Sequence, residues 1–245
     1  MAHPALAVAH RAPAAVRQGL AAARPAPAAA RRAAAARAVC RPTRAIPKPP
    51  GIADLTAALD STGKWGVSGM FTGGSFTYGD NDKNGATDIT LTSAPGVYTI
   101  KGHISGYTGF GMWFGPAGMQ KFTCVDASQY SGVSFEITNN ATAVPNISFQ
   151  VQHHSDSPVD TTNSRGGCVY TSDTTKYSDC VYPKTDITLP TGGGVVQVPW
   201  SMFAMGKPVA DATGGNALDG LQWEFWKEGA TAYDLDITVK NVKFY

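Results

Sequence analysis

From residue 52 onward the chain alternates apolar and polar residues in short runs. In Ser131-Gly-Val-Ser-Phe-Glu-Ile137, Val133, Phe135 and Ile137 share one face, and Ser134 and Glu136 share the other. Asn146–His153 puts Ile147, Phe149 and Val151 inside, with Gln150 and Gln152 opposite. Gly220–Trp226 puts Leu221, Trp223 and Phe225 inside, with Gln222, Glu224 and Trp226 opposite. Thr108–Phe114 separates Phe110, Met112 and Phe114 from Trp113. The C-terminal run repeats the pattern with Leu235, Ile237 and Val239, then Val242 and Phe244. Tyr98–Ile104, Ile187–Leu189 and Val195–Val198 add further strands, and the one helix-like stretch is Ile52–Leu59. Many short strands parted by Gly, Asn, Asp and Pro clusters predict an all-β antiparallel sandwich, or jelly roll.

Composition divides the chain in two. Residues 1–50 hold 20 Ala, eight Pro, eight Arg and Lys48, with no acid, for a formal charge of +9. The prolines interrupt any helix the alanines favour, and there is little to bury. This half reads as a disordered tail and linker: either an organellar targeting segment or an extension without function. Residues 51–245 read as one folded domain. They carry the remaining 11 bases against all 18 acids, which is −7, and contain a single arginine, Arg165. A duplex-binding surface needs clustered cations, so nucleic acid is not an expected partner. No apolar stretch reaches the roughly 18 residues a spanning helix needs. A monomer is expected.

Three cysteines fall in the folded half. Cys168 and Cys180 flank a polar loop with little to pack, where a disulfide would restrict the unfolded chain; the alternative is two thiols on neighbouring strands. Cys124 is expected as a buried thiol. The Asp80-Asn-Asp-Lys-Asn-Gly-Ala-Thr-Asp88 stretch sets Asp80, Asp82, Asn84 and Asp88 at calcium-loop spacing, but Leu91 stands where an EF-hand has Glu. The choice there lies between a small structural calcium loop and an Asn-Gly hairpin turn.

The candidate chemistry lies on the non-core strand faces. Trp113, Glu136, Gln150, Gln152, Gln222, Glu224 and Trp226 form a set of indoles, amides and carboxylates. Sugars are bound by this mixture, because aromatic faces cover the apolar side of a pyranose while amides and carboxylates bind its hydroxyls. Trp65 and Tyr78, in Gly-rich surroundings, are candidates either to extend the platform or to pack in the core or a loop. Glu136 and Glu224 also suggest a catalytic pair, since glycoside hydrolysis needs two carboxyls about 5–10 Å apart. The alternative functions are therefore a polysaccharide hydrolase or lyase using Glu136 with Glu224, or His153, and a structural or adhesive surface protein.

Phe122-Thr-Cys-Val-Asp-Ala-Ser-Gln-Tyr-Ser-Gly-Val-Ser-Phe135 resembles a segment of galactose-binding-domain-like β-sandwiches, including family 11-like carbohydrate-binding modules. Asp126, Ser128, Tyr130, Gly132 and Phe135 carry the match. Gly166-Gly-Cys168 with Cys180, Pro199-Trp-Ser-Met-Phe203 and Leu235–Tyr245 resemble further family segments. The resemblance implies a secreted polysaccharide-binding module, often carrying a structural calcium near its start. The opening Ile52-Ala-Asp-Leu55 departs from the family's usual start.

Overall fold

The computed structural model describes residues 44–45, 54–67, 71–79, 89–115, 124–141, 147–157, 168, 180–206, 214–225 and 231–245. Thirteen strands occur among them: β1 (Arg44–Ala45), β2 (Trp65–Val67), β3 (Phe71–Gly79), β4 (Ile89–Ala94), β5 (Val97–Ile104), β6 (Thr108–Phe114), β7 (Val125–Asp126), β8 (Gly132–Asn139), β9 (Ile147–His153), β10 (Lys184–Ile187), β11 (Gly194–Pro199), β12 (Leu218–Glu224) and β13 (Tyr233–Phe244). They form two sheets. The larger runs β10-β9-β12-β6-β3-β2, with β7 and then β1 joined at the start of β12. The smaller runs β11-β8-β13-β5-β4. Every pairing is antiparallel except β1 with β7. The all-β sandwich expected from alternation is therefore the observed fold. The sheet also takes in Arg44–Ala45, ahead of the boundary drawn at residue 51.

The alternating apolar residues of both sheets meet in one core. Trp223 sits at its centre with no exposed surface. Its ring stacks on Phe110 at 4.7 Å and 6° within its own sheet, and meets Phe135 of the other sheet edge-on at 5.3 Å. The Val239-to-Val242 spacing breaks the period of two. The reason is a bulge: the β13–β8 register shifts between Lys240 and Lys243, with Asn241 at φ 53°. That one added residue returns Val242 and Phe244 to the core.

Two local expectations are corrected. The sequence of Ile52–Leu59 predicts a helix-like stretch, but Leu55–Ala58 is a turn, with Leu55 and Leu59 buried in the core and Leu55 N–H donating to Val242 O at 2.7 Å. Cys124 is buried but disulfide-bonded rather than a free thiol. Cys168 and Cys180 are joined to each other, with their Cα atoms 5.5 Å apart.

Candidate functional site

The outer face of the larger sheet is an ordered lattice. Strand register sets three rows across β9, β12, β6 and β3. The first reads Gln152, Gly220, Trp113, Gly74; the second Gln150, Gln222, Gly111, Phe76; the third Ser148, Glu224, Gly109, Tyr78. Beyond β9, Lys184 lies opposite Gln150 and Asp186 opposite Ser148. Polar side chains thus occupy β9 and β12, and aromatic rings occupy β6 and β3.

Glycine divides the two halves for a steric reason. A Cβ at Gly111 would lie 2.5 Å from Phe76 Cζ, one at Gly109 2.3 Å from Tyr78 Oη, and one at Gly74 2.3 Å from Trp113 Cζ2. The three rings therefore recline over the glycines, against the sheet. Phe76 stacks on Trp113 at 5.7 Å and 30°, and Tyr78 approaches Tyr107 at 5.4 Å. Gly111→Ala is expected to cost about 2–3 kcal/mol in urea unfolding, because the new Cβ would meet the Leu221 carbonyl oxygen of β12 at 2.9 Å as well as the Phe76 ring, and the backbone atom cannot swing aside.

The polar half is tied together by hydrogen bonds. Gln150 Nε2 donates to Glu224 Oε2 at 2.6 Å, and Gln152 Nε2 to Gln222 Oε1 at 2.8 Å. Tyr78 Oη donates to Trp223 O at 3.3 Å, anchoring the aromatic edge to the polar strand. Alternation places Gln150, Gln222 and Glu224 on the expected face, but each keeps less than a tenth of its surface exposed. They form a recessed floor, while Trp113, Phe76, Tyr78 and Gln152 are half-buried.

Burial raises the Glu224 carboxyl above the ordinary glutamate range, while Lys184 and the hydrogen bonds from Gln150 and Tyr107 oppose the shift. A raised native value means that the folded state holds the proton more tightly than the unfolded chain does. Stability tied to Glu224 is therefore full at low pH and is lost as pH rises from about 4.3 through the native value. Compared with the native chain, Glu224→Gln should gain stability progressively over that rise. Paired urea titrations at several pH values measure the difference.

Glu136 does not belong to this site. It lies on the outer face of β8 in the other sheet, where Lys240 Nζ is 2.9 Å from Oε1 and Asn241 Nδ2 donates to Oε2 at 2.9 Å. Those partners, Lys240 first, hold its carboxyl below the ordinary range. Alternation assigns a residue to one face of its strand, and Glu136 and Glu224 occupy the outer faces of opposite sheets. Stacked sheets lie about 10 Å apart and these side chains point away from each other, so the two carboxyls are no catalytic pair. His153, the other catalytic candidate, ends β9 with Nδ1 2.8 Å from Ser155 Oγ.

Of the two readings for Trp65, the structure has core packing. It is buried beneath the sheet, edge-on to Phe114 at 5.4 Å, with Nε1 donating to Gly74 O at 3.0 Å. It lies beneath the outer face, whereas Tyr78 lies on that face in the row of Glu224 and Gly109. Sequence reasoning missed Phe76 and Tyr107. The signal for Phe76 is its alternation with Tyr78 inside the Gly-rich run Phe71–Gly79. Trp226 and the candidate calcium residues Asp80, Asp82, Asn84 and Asp88 lie outside the described residues. At the domain opening, where the resemblance implies calcium, Asp54 Oδ1 accepts from Thr56 N–H and Oγ1 at 2.9 and 2.8 Å. A buried Cys124, His154 and Asp219 cluster offers metal-ligand atoms, but the disulfide-bonded Cys124 brings no thiolate to it.

The chain is similar in structure to a carbohydrate-binding module. That protein is the family 11 module from Clostridium thermocellum, described in complex with a β-1,3-1,4-mixed-linked tetrasaccharide. It is 17% identical, with 73% of this chain and 89% of the module covered, at a TM-score of 0.42. No family model matches the chain. No curated protein matches it.

Proposed function

We propose that the chain binds a polysaccharide without cleaving it, on the outer face of the larger sheet. The observation that carries this reading is the three-row lattice, in which reclined rings adjoin a recessed strip of amides and one carboxyl. A pyranose laid on the Trp113 and Phe76 rings would set its apolar face against them. Its hydroxyls would then reach the strip formed by Gln152, Gln222, Gln150 and Glu224. The Gln152–Gln222 amide pair and the Gln150–Glu224 amide–carboxyl pair each have more donor and acceptor capacity than the one bond between them uses. The separation of Glu136 from Glu224 favours binding over hydrolysis by that pair. The Cys168–Cys180 disulfide is consistent with an oxidising, extracellular setting, which belongs to the same proposal.

The test uses the full chain with cellulose, β-glucans, xylan, mannan, chitin and alginate. Depletion from the supernatant or gel retardation reads binding, and new reducing ends read cleavage. Retention by at least one neutral polymer without new reducing ends is expected. A folded protein that no polymer retains would overturn the proposal, as would release of reducing ends that Glu224→Gln abolishes.

A further inference from the structure

A cleft of about 540 Å³ opens at the edge of the sandwich, lined by Ser61, Thr62, Gly63, Ser75, Phe76, Thr77, Leu91, Thr92 and Ser93. It lies where two sheet edges come together. Among the described residues, β4 is the last strand of the smaller sheet, and β3 pairs with β2 only over Phe71–Gly73, so that no described strand adjoins Ser75–Thr77 on that side. The turn before β2 closes one end. Ser75 Oγ donates to Gly63 O at 3.2 Å, and Gly63 has φ +76° with so little room that a Cβ would lie 2.4 Å from Ser75 Oγ. That contact brings the turn onto the strand edge, which interrupts it as a template for an added peptide strand.

The lining is chemically uniform. Six of the nine residues carry hydroxyls, none is charged, and one is aromatic. Hydroxyls both donate and accept, which matches the mixed needs of sugar hydroxyls. Among the described lining residues there is no cation to serve as countercharge for a phosphate or uronate. The volume falls within the range of small-molecule sites. We propose that this cleft is a second saccharide site, taking one or two units of an uncharged sugar. It shares Phe76 with the sheet-face platform but otherwise uses different residues. The inference goes beyond the sheet-face reading and does not depend on it.

Equilibrium dialysis of the full chain with radiolabelled cellotriose, xylotriose and mannotriose, each at saturation, separates the two. Thr92→Trp fills the cleft from an exposed strand position, and Ser61→Trp fills it from the turn opposite. At least one trisaccharide is expected to bind at two per native chain and at one per chain in each plugged variant, with trigalacturonate giving no uptake that the plugs remove. Stoichiometry unchanged by both plugs overturns the second site while leaving the sheet face standing. Loss in the plugged variants but not in Trp113→Ala upholds the cleft and overturns the sheet face. Uptake of an extended Thr-rich peptide that the plugs abolish would make this a strand-edge site for peptides, and that too overturns the proposal.

Discussion

Trp223→Ala is expected to destabilise the domain by about 3–5 kcal/mol, enough to consume much of the stability a domain of this kind commonly has. The indole is fully buried and touches Phe110, Phe135 and Phe149 at centroid distances of 4.7, 5.3 and 5.0 Å. Phe135 belongs to the smaller sheet and the other two to the larger, so this one ring joins the layers. Its removal leaves a void that rigid neighbours on two β-sheets cannot close. The loss also reaches the site, because Tyr78 Oη is held by the Trp223 carbonyl and Glu224 follows directly in β12. Urea unfolding followed by near-UV circular dichroism measures the effect. A loss below about 1 kcal/mol would mean that the core repacks around the gap.

Trp113→Ala is expected to weaken binding to the retained polysaccharide by about 1–3 kcal/mol, which is roughly five- to 150-fold in affinity. The ring lies on the outer face, half-buried, over Gly74 and against Phe76. Its Nε1 has no hydrogen-bond partner among the described residues, so no internal hydrogen bond is lost with it. Phe110, Met112 and Phe114 on the opposite face of β6 keep the core contact, so the fold should survive. Affinity electrophoresis at graded polysaccharide concentration reads the change. Unfolding curves on the same sample separate it from destabilisation. Unchanged affinity in a folded variant would remove Trp113 from the site.

Alternation identified the core well because period two is a direct consequence of strand geometry. Phe110, Met112, Phe149, Val151, Leu221 and Trp223 all proved buried on the side expected. The β13 bulge, the added residue between Val239 and Val242, is what keeps Val242 and Phe244 on the core side. What alternation does not carry is pairing. Glu136 and Gln150 looked equivalent along the chain, but β8 and β9 belong to different sheets. Phe76 was hidden for another reason, although Trp113 and Tyr78 beside it were legible. The Phe71–Gly79 run contains three glycines, and no local signal says that rings from other positions, Trp65 and Trp113, will lie across Gly73 and Gly74. Trp65 illustrates the same gap: its burial depends on the space that Gly73 leaves beneath it, where a Cβ would lie 2.2 Å from the indole.

The central claim is that sugar sits on the glycine-divided face of the larger sheet. Backbone amide resonances, followed while the full chain is titrated with an oligosaccharide of the retained polymer, test it most directly. The account predicts that the largest shifts fall on Gly74, Gly109, Gly111, Gln222 and Trp113, with Glu136 and Lys240 on the other sheet unmoved. Shifts centred on Glu136 and Lys240, or none at saturating oligosaccharide, would contradict it.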